Sequence, residues 1–234
     1  MLARPEELLG AWEAAARVPP PARGAAVLAR AALAPDLDTA LDMPVGRSAA
    51  LAARAHAEAF GAEVEGVLRC PACGETLEVT LALDALASDS GGEASTTAGG
   101  LAVRAPTTRD LLAAAAAADA EAALLARCVR GPDETPVDPS SLGPSALAEV
   151  DAVAERLAGL AGAVVSATCP GCGAEASAPL DVGALLWDRV ARAAQALLAD
   201  VAELAEAYGW TEPDVLALTP LRRRAYLELA RGTA

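Results

Sequence analysis

The sequence predicts an α+β protein that is mainly helical and carries a small antiparallel sheet. Alanine-rich segments with apolar residues three and four positions apart predict the helices. Two short segments in which apolar and polar residues alternate predict strands. Each of these segments contains a five-residue turn that is almost the same in both, CPACG at 70–74 and CPGCG at 169–173. The sequence therefore predicts two similar hairpins set among helices.

The first 61 residues predict a helical segment. One helix is expected over Glu6–Arg17, where the prolines at 19–21 stop it, and another over 22–33. A third is expected from an N-cap at Ser48 to Gly61. The composition is 54% hydrophobic but only 3% aromatic. Small side chains must therefore do most of the packing between these helices.

Residues 62–182 are expected to hold the two hairpins, at 64–83 and 163–180, with a helical insert between them. The glycine-rich stretch 88–100 predicts a loop. A helix is expected to begin at a cap formed by Thr107 or Thr108, with Asp110 in its first turn. A helical hairpin through 119–131 and a helix over 145–160 complete the insert.

Residues 183–234 form the third expected unit, of C-terminal helices. Its long helix is expected to run from Val182 or Gly183 to Tyr208, because apolar residues recur there by threes and fours. Gly209 ends this helix. Two short helices are expected after it, capped by Thr211 and Thr219.

The two turns predict one metal site with the ligands Cys70, Cys73, Cys169 and Cys172. A C-x-x-C turn lets two thiolates reach one ion, and zinc takes four such ligands in a tetrahedron. Proline after the first cysteine and glycine after the second suit the backbone of this turn. We therefore expect the hairpins to pair as a zinc ribbon with one structural zinc ion. Four cysteines leave no open position for catalysis.

Three other interpretations of these cysteines stay open from the residues alone. They could be buried thiols or disulfides, or a C-x-x-C redox pair, although a redox pair ordinarily lies at a helix N-terminus with a different proline position. Iron in a rubredoxin-like site uses the same spacing. Cys128, outside the turns, is expected to be a small buried residue.

No catalytic residues are predicted. His56 is the single histidine and is expected on a helix surface, so no Cys-His or Ser-His pair can be built elsewhere. No phosphate-binding loop, dinucleotide-binding fingerprint or nucleophile elbow is present. The sequence therefore predicts a protein without enzymatic activity and without a small-molecule substrate.

The net charge of the chain limits the classes of molecule that it is expected to bind. The net charge of −14 disfavours nucleic acid, whose phosphates attract proteins with surplus Lys and Arg. The N-terminus lacks the apolar core of a signal peptide, and no stretch is long enough to cross a membrane. We expect a cytoplasmic protein whose partners are proteins.

A partner contact is expected near the C-terminus. Three successive arginines there either neutralise nearby carboxylates or bind an acidic partner. Several aromatic residues lie in the same segment, and they form either the core of the terminal helices or a protein contact. The expected contact residues are Tyr208, Trp210, Arg222, Arg223, Arg224 and Tyr226.

Several segments together resemble the baseplate-protein family of contractile-tailed bacteriophages, including relatives associated with phage-tail-like contractile injection systems. These are MPVGRSAALAARAHAEAFG, CPACGETLEV, LAVRAPTTRDLLA, the second CPGCG, and the stretch from LLWDRV to AYLEL. The resemblance covers about Asp42 to Arg231, and its most specific part is AYGWTEPDVLALTPLRRRAYLEL, with the weaker PTTRD at 106–110. The matching residues of the specific part are Tyr208, Gly209, Trp210, Glu212, Leu216, Leu218, Arg223, Arg224 and Tyr226.

The resemblance implies a non-enzymatic structural or assembly protein that acts by protein contacts in a baseplate or tail hub, within an assembled phage-tail-like particle. Two alternatives from other classes remain. One is a cytoplasmic zinc-ribbon adaptor or assembly chaperone that is absent from the final particle. The other is an oxidoreductase that uses the C-x-x-C pairs.

Overall fold

The computed structural model describes residues 2, 4–87, 95–98 and 100–232. Helices make up most of these residues, as predicted, and small antiparallel sheets lie between them. The α-helices are α1 Pro5–Ala16, α2 Arg23–Arg30, α3 Leu37–Leu41, α4 Val45–Phe60, α5 Leu83–Ala87, α6 Thr108–Ala115, α7 Ala120–Cys128, α8 Pro144–Ala158, α9 Val182–Tyr208, α10 Glu212–Leu216 and α11 Pro220–Ala230. The strands are β1 Glu63–Arg69, β2 Thr76–Ala82, β3 Ser95–Ala98, β4 Leu101–Arg104, β5 Val129–Arg130, β6 Val164–Thr168 and β7 Glu175–Pro179.

Helices α1, α2 and α4 pack together against α9 and form the largest core cluster. Small side chains let these helices approach closely, as the composition predicts. A Cβ atom placed on Gly24 of α2 would lie 2.9 Å from Cα of Gly183 at the start of α9. The two backbones therefore meet at a pair of glycines, where no larger side chain fits without movement.

The N-terminal segment differs from the prediction at the start of one helix and in the presence of another. Helix α4 begins at Val45 rather than after Ser48, because the N–H of Ser48 already donates to the carbonyl oxygen of Pro44 at 2.9 Å. The short helix α3 was not predicted. Its N-cap is Asp36, whose Oδ1 accepts from the N–H of Thr39 at 2.7 Å.

The loop predicted over 88–100 is wrong in part, because β3 lies within it and pairs with β4. Residues 88–94 and 99 lie outside the described residues. Strand β4 also pairs with β5, so the insert contains a three-stranded sheet. Its apolar face packs on α8 and forms a separate small core of Val103, Ala105, Val129, Val150, Val153 and Leu157.

The two cysteine turns each connect a two-stranded antiparallel hairpin, β1–β2 and β6–β7. Among the described residues the hairpins share no ladder, so the single zinc-ribbon sheet expected from the sequence is not what the structure contains. Leu68 and Leu77 of the first hairpin instead pack with Ala176 of the second in one buried cluster. The hairpins therefore meet through side chains, which leaves their backbone edges apart.

Helix α9 ends as predicted at Gly209, whose positive φ of 69° suits glycine. Helices α10 and α11 then fold back onto α9 through the buried residues Leu204, Val215 and Leu227. No helix in the described part of the chain is long and apolar enough to cross a membrane.

Candidate metal centre

The two cysteine turns share one backbone conformation. The N–H of Cys70 donates to the carbonyl oxygen of Glu75 at 2.8 Å, and the N–H of Gly74 donates back to Cys70 at 2.9 Å. The second turn repeats these two bonds at the same 2.8 and 2.9 Å. Gly74 and Gly173 have φ values of 77° and 75°, which glycine adopts without strain. The repeated sequence thus encodes a repeated turn.

The structure brings the four predicted cysteines together. Their Sγ atoms all lie within 4.8 Å of one another. Two sulfur pairs join the turns, with 3.6 Å from Cys70 to Cys172 and 3.6 Å from Cys73 to Cys169. A disulfide needs about 2.0 Å, so these are separate thiols. The four sulfurs could hold one metal ion.

The four cysteines differ in exposure in the same way in both turns. The first cysteine of each turn, Cys70 or Cys169, is buried in the cluster between the hairpins. The second, Cys73 or Cys172, is exposed. One side of the cluster is therefore fixed by packing, while the other side is open to an incoming ion.

Backbone hydrogen bonds favour a thiolate at Cys70. The N–H groups of Cys73 and Ala72 point at its sulfur and lower its pKa to about 6. The pKa of Cys73 is raised to about 12, because the nearby sulfurs outweigh the N–H of Glu75, which acts in the opposite direction. Deprotonation of a second thiol beside the first thiolate is thus unfavourable, and a bound cation would offset the repulsion between the two negative sulfurs.

The sulfur spacing fits a tetrahedral ion. A metal–sulfur distance of about 2.3 Å implies about 3.8 Å between sulfurs at the corners of a tetrahedron. The observed 3.6 Å pairs lie close to that value. Four thiolates suit a soft or borderline ion such as zinc or iron. The geometry therefore fits one such ion, without distinguishing between these two.

Glu75 is a neighbour of the centre that the sequence analysis missed. Its Oε2 lies 4.0 Å from Sγ of Cys169, although Glu75 belongs to the other turn. The signal was a difference between the turns, since the charged Glu75 follows the first CPxCG and the small Ala174 follows the second.

His56 is not on the helix surface as expected. Its side chain is 1% exposed, because the ring packs edge-on against Phe60 and lies beside α9. Its Nδ1–H donates to the carbonyl oxygen of Gly61 at 3.0 Å. Burial lowers the pKa of His56, so the ring is held neutral. The hydrogen bond from His56 to Gly61 thus gives His56 a structural role, which is to hold the C-terminal end of α4.

Cys128 is buried, as predicted, and burial raises the pKa of its thiol. It is not part of the four-sulfur cluster. Its neighbour Asp110 belongs to an ion-pair network that the sequence analysis missed. Asp110 is 2% exposed and accepts hydrogen bonds from Arg104 and Arg127. The cap formed by Thr107 was predictable from PTTRD, but the two arginines are contributed by β4 and α7.

The predicted C-terminal contact residues fall into two groups. Arg223 pairs with Asp200 at 3.1 Å and is only 14% exposed, so it belongs to the fold. Arg224 pairs along its own helix with Glu228, while Arg222 is exposed. The aromatic residues form one cluster, with ring centroids 4.8 to 5.9 Å apart: Tyr208, Trp210 and Tyr226.

Comparison with known protein families, with curated proteins and with solved structures gives no match to this chain.

Proposed function

We propose that the chain is a non-enzymatic structural or assembly protein of a phage-tail-like contractile machine, held together by one structural zinc ion. The observation that carries the metal part is the cluster of four sulfurs within 4.8 Å, built from two turns with the same backbone. The assembly role is supported by the resemblance of the C-terminal segment to baseplate proteins.

Zinc is the ion proposed, because four cysteines with no other ligand are typical of structural zinc sites. Zinc would join the two hairpins across the insert of residues 74–168. Closing a loop of roughly 100 residues removes about 4 to 5 kcal/mol of denatured-state entropy in the disulfide model, and we take this as the scale of the effect. The ends of the insert would then stay fixed although no ladder joins the hairpins within the described part of the chain.

The C-terminal helices offer a surface for protein contacts. Leu221 and Leu229 of α11 are 80% and 57% exposed, two turns apart on one helix face. Leu227 of the same helix is buried against α9 and α10. Helix α11 thus keeps its inner face for the fold and presents leucines outward, as expected of an interface helix.

Particles purified from cells that express the chain with the rest of its machine test the assembly role. We expect the chain in intact particles, and we expect a Leu221→Asp, Leu229→Asp double variant to be lost from them with its melting temperature unchanged. The matched control is Leu111→Asp, which alters an exposed leucine of α6. Normal particles that contain the double variant would contradict the proposed interface.

The same preparation separates the alternatives. A chain that is absent from particles, but without which no particles form, is an assembly chaperone. A chain whose removal leaves particle yield and composition unchanged is neither component nor chaperone. Catalysed reduction of insulin disulfides by the metal-free chain, lost in Cys73→Ser, would point to the oxidoreductase instead.

A further inference from the structure

A cleft in the insert is lined by four arginines. It has a volume of about 600 Å³ and lies where β4, the start of α6, the end of α7 and β5 meet. Arg104, Arg109, Arg127 and Arg130 are four of the 18 basic residues of a chain whose net charge is −14. We call this the arginine cleft. Because acidic residues outnumber basic ones in this chain, four arginines around one cleft suggest that the cleft has a specific role.

The buried carboxylate of Asp110 fixes two of these arginines. Arg104 donates to it from Nη1 at 2.6 Å and from Nη2 at 3.1 Å. Arg127 donates from Nε at 2.7 Å. One carboxylate balances one guanidinium, so this group of three keeps a net positive charge. In the described part of the chain the two Nη atoms of Arg127 have no hydrogen-bond acceptor, so both can donate to a ligand.

Arg130 lies beside this group without a carboxylate partner among the described residues. Its Nη1 donates to the carbonyl oxygens of Ala126 at 2.6 Å and Val129 at 3.0 Å. These bonds hold the side chain in place, and the carbonyl oxygens do not neutralise its charge. Arg109 contributes less, because Asp38 and Asp42 already neutralise it. The cationic part of the cleft is therefore formed by Arg104, Arg127 and Arg130.

We propose that the arginine cleft binds a small ligand through an oxyanion group, a phosphate or a carboxylate, held by Arg127 and Arg130. Guanidinium groups bind such oxygens with paired, charge-assisted hydrogen bonds. Because Asp110 and the backbone already hold both arginines, little side-chain entropy is lost on binding. The proposal goes beyond the structural role of the metal centre and uses none of its residues.

The size and the lining of the cleft limit the class of ligand. The volume of the cleft falls within the roughly 300 to 1,000 Å³ of small-molecule sites. None of the described residues that line the cleft is aromatic, so nothing there would stack on a nucleobase. A compact anionic molecule fits these properties better than a nucleotide or a nucleic acid.

Titration calorimetry on the full, metal-loaded chain tests the proposal, with inorganic phosphate and succinate as separate probes at low ionic strength. We expect saturable binding of one ligand per chain by at least one probe, and binding should weaken as salt is added. Which probe binds distinguishes phosphate from carboxylate recognition. Binding of neither probe overturns the proposal.

Three variants locate the site. Arg130→Gln should weaken binding by about tenfold or more, because a charge-assisted hydrogen bond is lost. Arg156→Gln is the matched control, since Arg156 also donates to the carbonyl oxygen four residues earlier, at 2.9 Å, but lies outside the cleft. Equal weakening in both variants overturns the proposal.

The third variant, Glu134→Gln, should change the binding affinity in the opposite direction to Arg130→Gln. The exposed Glu134 lines the same cleft, and removal of its negative charge should tighten binding. A variant that fails to fold cannot produce tighter binding, so this result stands even if Arg130→Gln is unstable. Unchanged or weaker binding by Glu134→Gln would place the anion elsewhere.

Discussion

Glu75 of the first cysteine turn extends over Gly171 of the second turn, so that a Cβ atom at 171 would collide with its carboxylate. The first turn has Ala72 at the position of Gly171, and the second turn has Ala174 at the position of Glu75. The two turns are thus alike in backbone and complementary in side chains. The difference between CPACG and CPGCG is explained by this one contact.

This contact predicts coupling between positions 75 and 171. Gly171→Ala should cost little by itself, because the tip of Glu75 can move aside and the equivalent turn already tolerates Ala72. In a Glu75→Ala background it should cost less still, with a coupling free energy of about 0.5 to 1 kcal/mol. Denaturant unfolding of the two single variants and the double variant measures it. Strictly additive effects would show that the contact is energetically neutral.

The buried carboxylate of Asp110 predicts a pH-dependent contribution to stability. Arg104, Thr107 and Arg127 hold its pKa far below the usual range, against the opposing effect of burial. The unfolded chain has an ordinary aspartate pKa of about 3.9, so the contribution is complete above about pH 5 and is lost as the pH falls below about 4. Asp110→Asn should destabilise the fold by about 2 to 3 kcal/mol at pH 7.

Unfolding of the wild type and the Asp110→Asn variant, compared from pH 7 to pH 3, measures this contribution. The difference in free energy of unfolding should shrink as the pH falls, whatever the acid does to the metal centre, which both proteins share. Asp188→Asn is the control, because Asp188 is exposed on α9 and has no ion pair among the described residues. A difference that stays constant down to pH 3 would contradict the assigned pKa shift.

The glycine contact between α2 and α9 predicts that Gly24→Ala destabilises the N-terminal core by about 1 to 3 kcal/mol, because the added methyl meets backbone atoms of Gly183. Gly10→Ala is the matched control. A Cβ atom there would lie 2.9 Å from Nη2 of Arg30, the movable end of a long side chain. That variant should be neutral or gain up to about 1 kcal/mol from helix propensity. Thermal melts compare the two, and equal losses would refute a rigid contact.

Features that depend on local chemistry could be predicted from the sequence. The cysteine turns were identified because proline and glycine occupy the positions that the turn requires. The end of α9 followed from Gly209, and the cap of α6 followed from Thr107. In each case neighbouring residues determine the backbone, so no distant partner needs to be known.

Features that depend on distant partners could not be predicted. The burial of His56 results from contact with α9, far away in sequence. Strand β3 is small and polar, and it pairs because β4 is beside it. The prediction that the two hairpins pair into one sheet was wrong for the same reason. Alternating apolar residues show which face of a strand is buried, but they do not show whether its edge pairs with another strand.

Metal analysis of the purified chain, combined with thiol titration, tests the central claim most directly. We predict one zinc ion per chain, with Cys70, Cys73, Cys169 and Cys172 becoming reactive only after a chelator removes it. Cys73→Ser should lose the metal and melt at a lower temperature, whereas Cys128→Ser should keep the metal, because Cys128 lies outside the four-sulfur cluster. Iron in place of zinc would correct the identity of the ion. Absence of any bound metal, or equal metal content in both variants, would contradict the account.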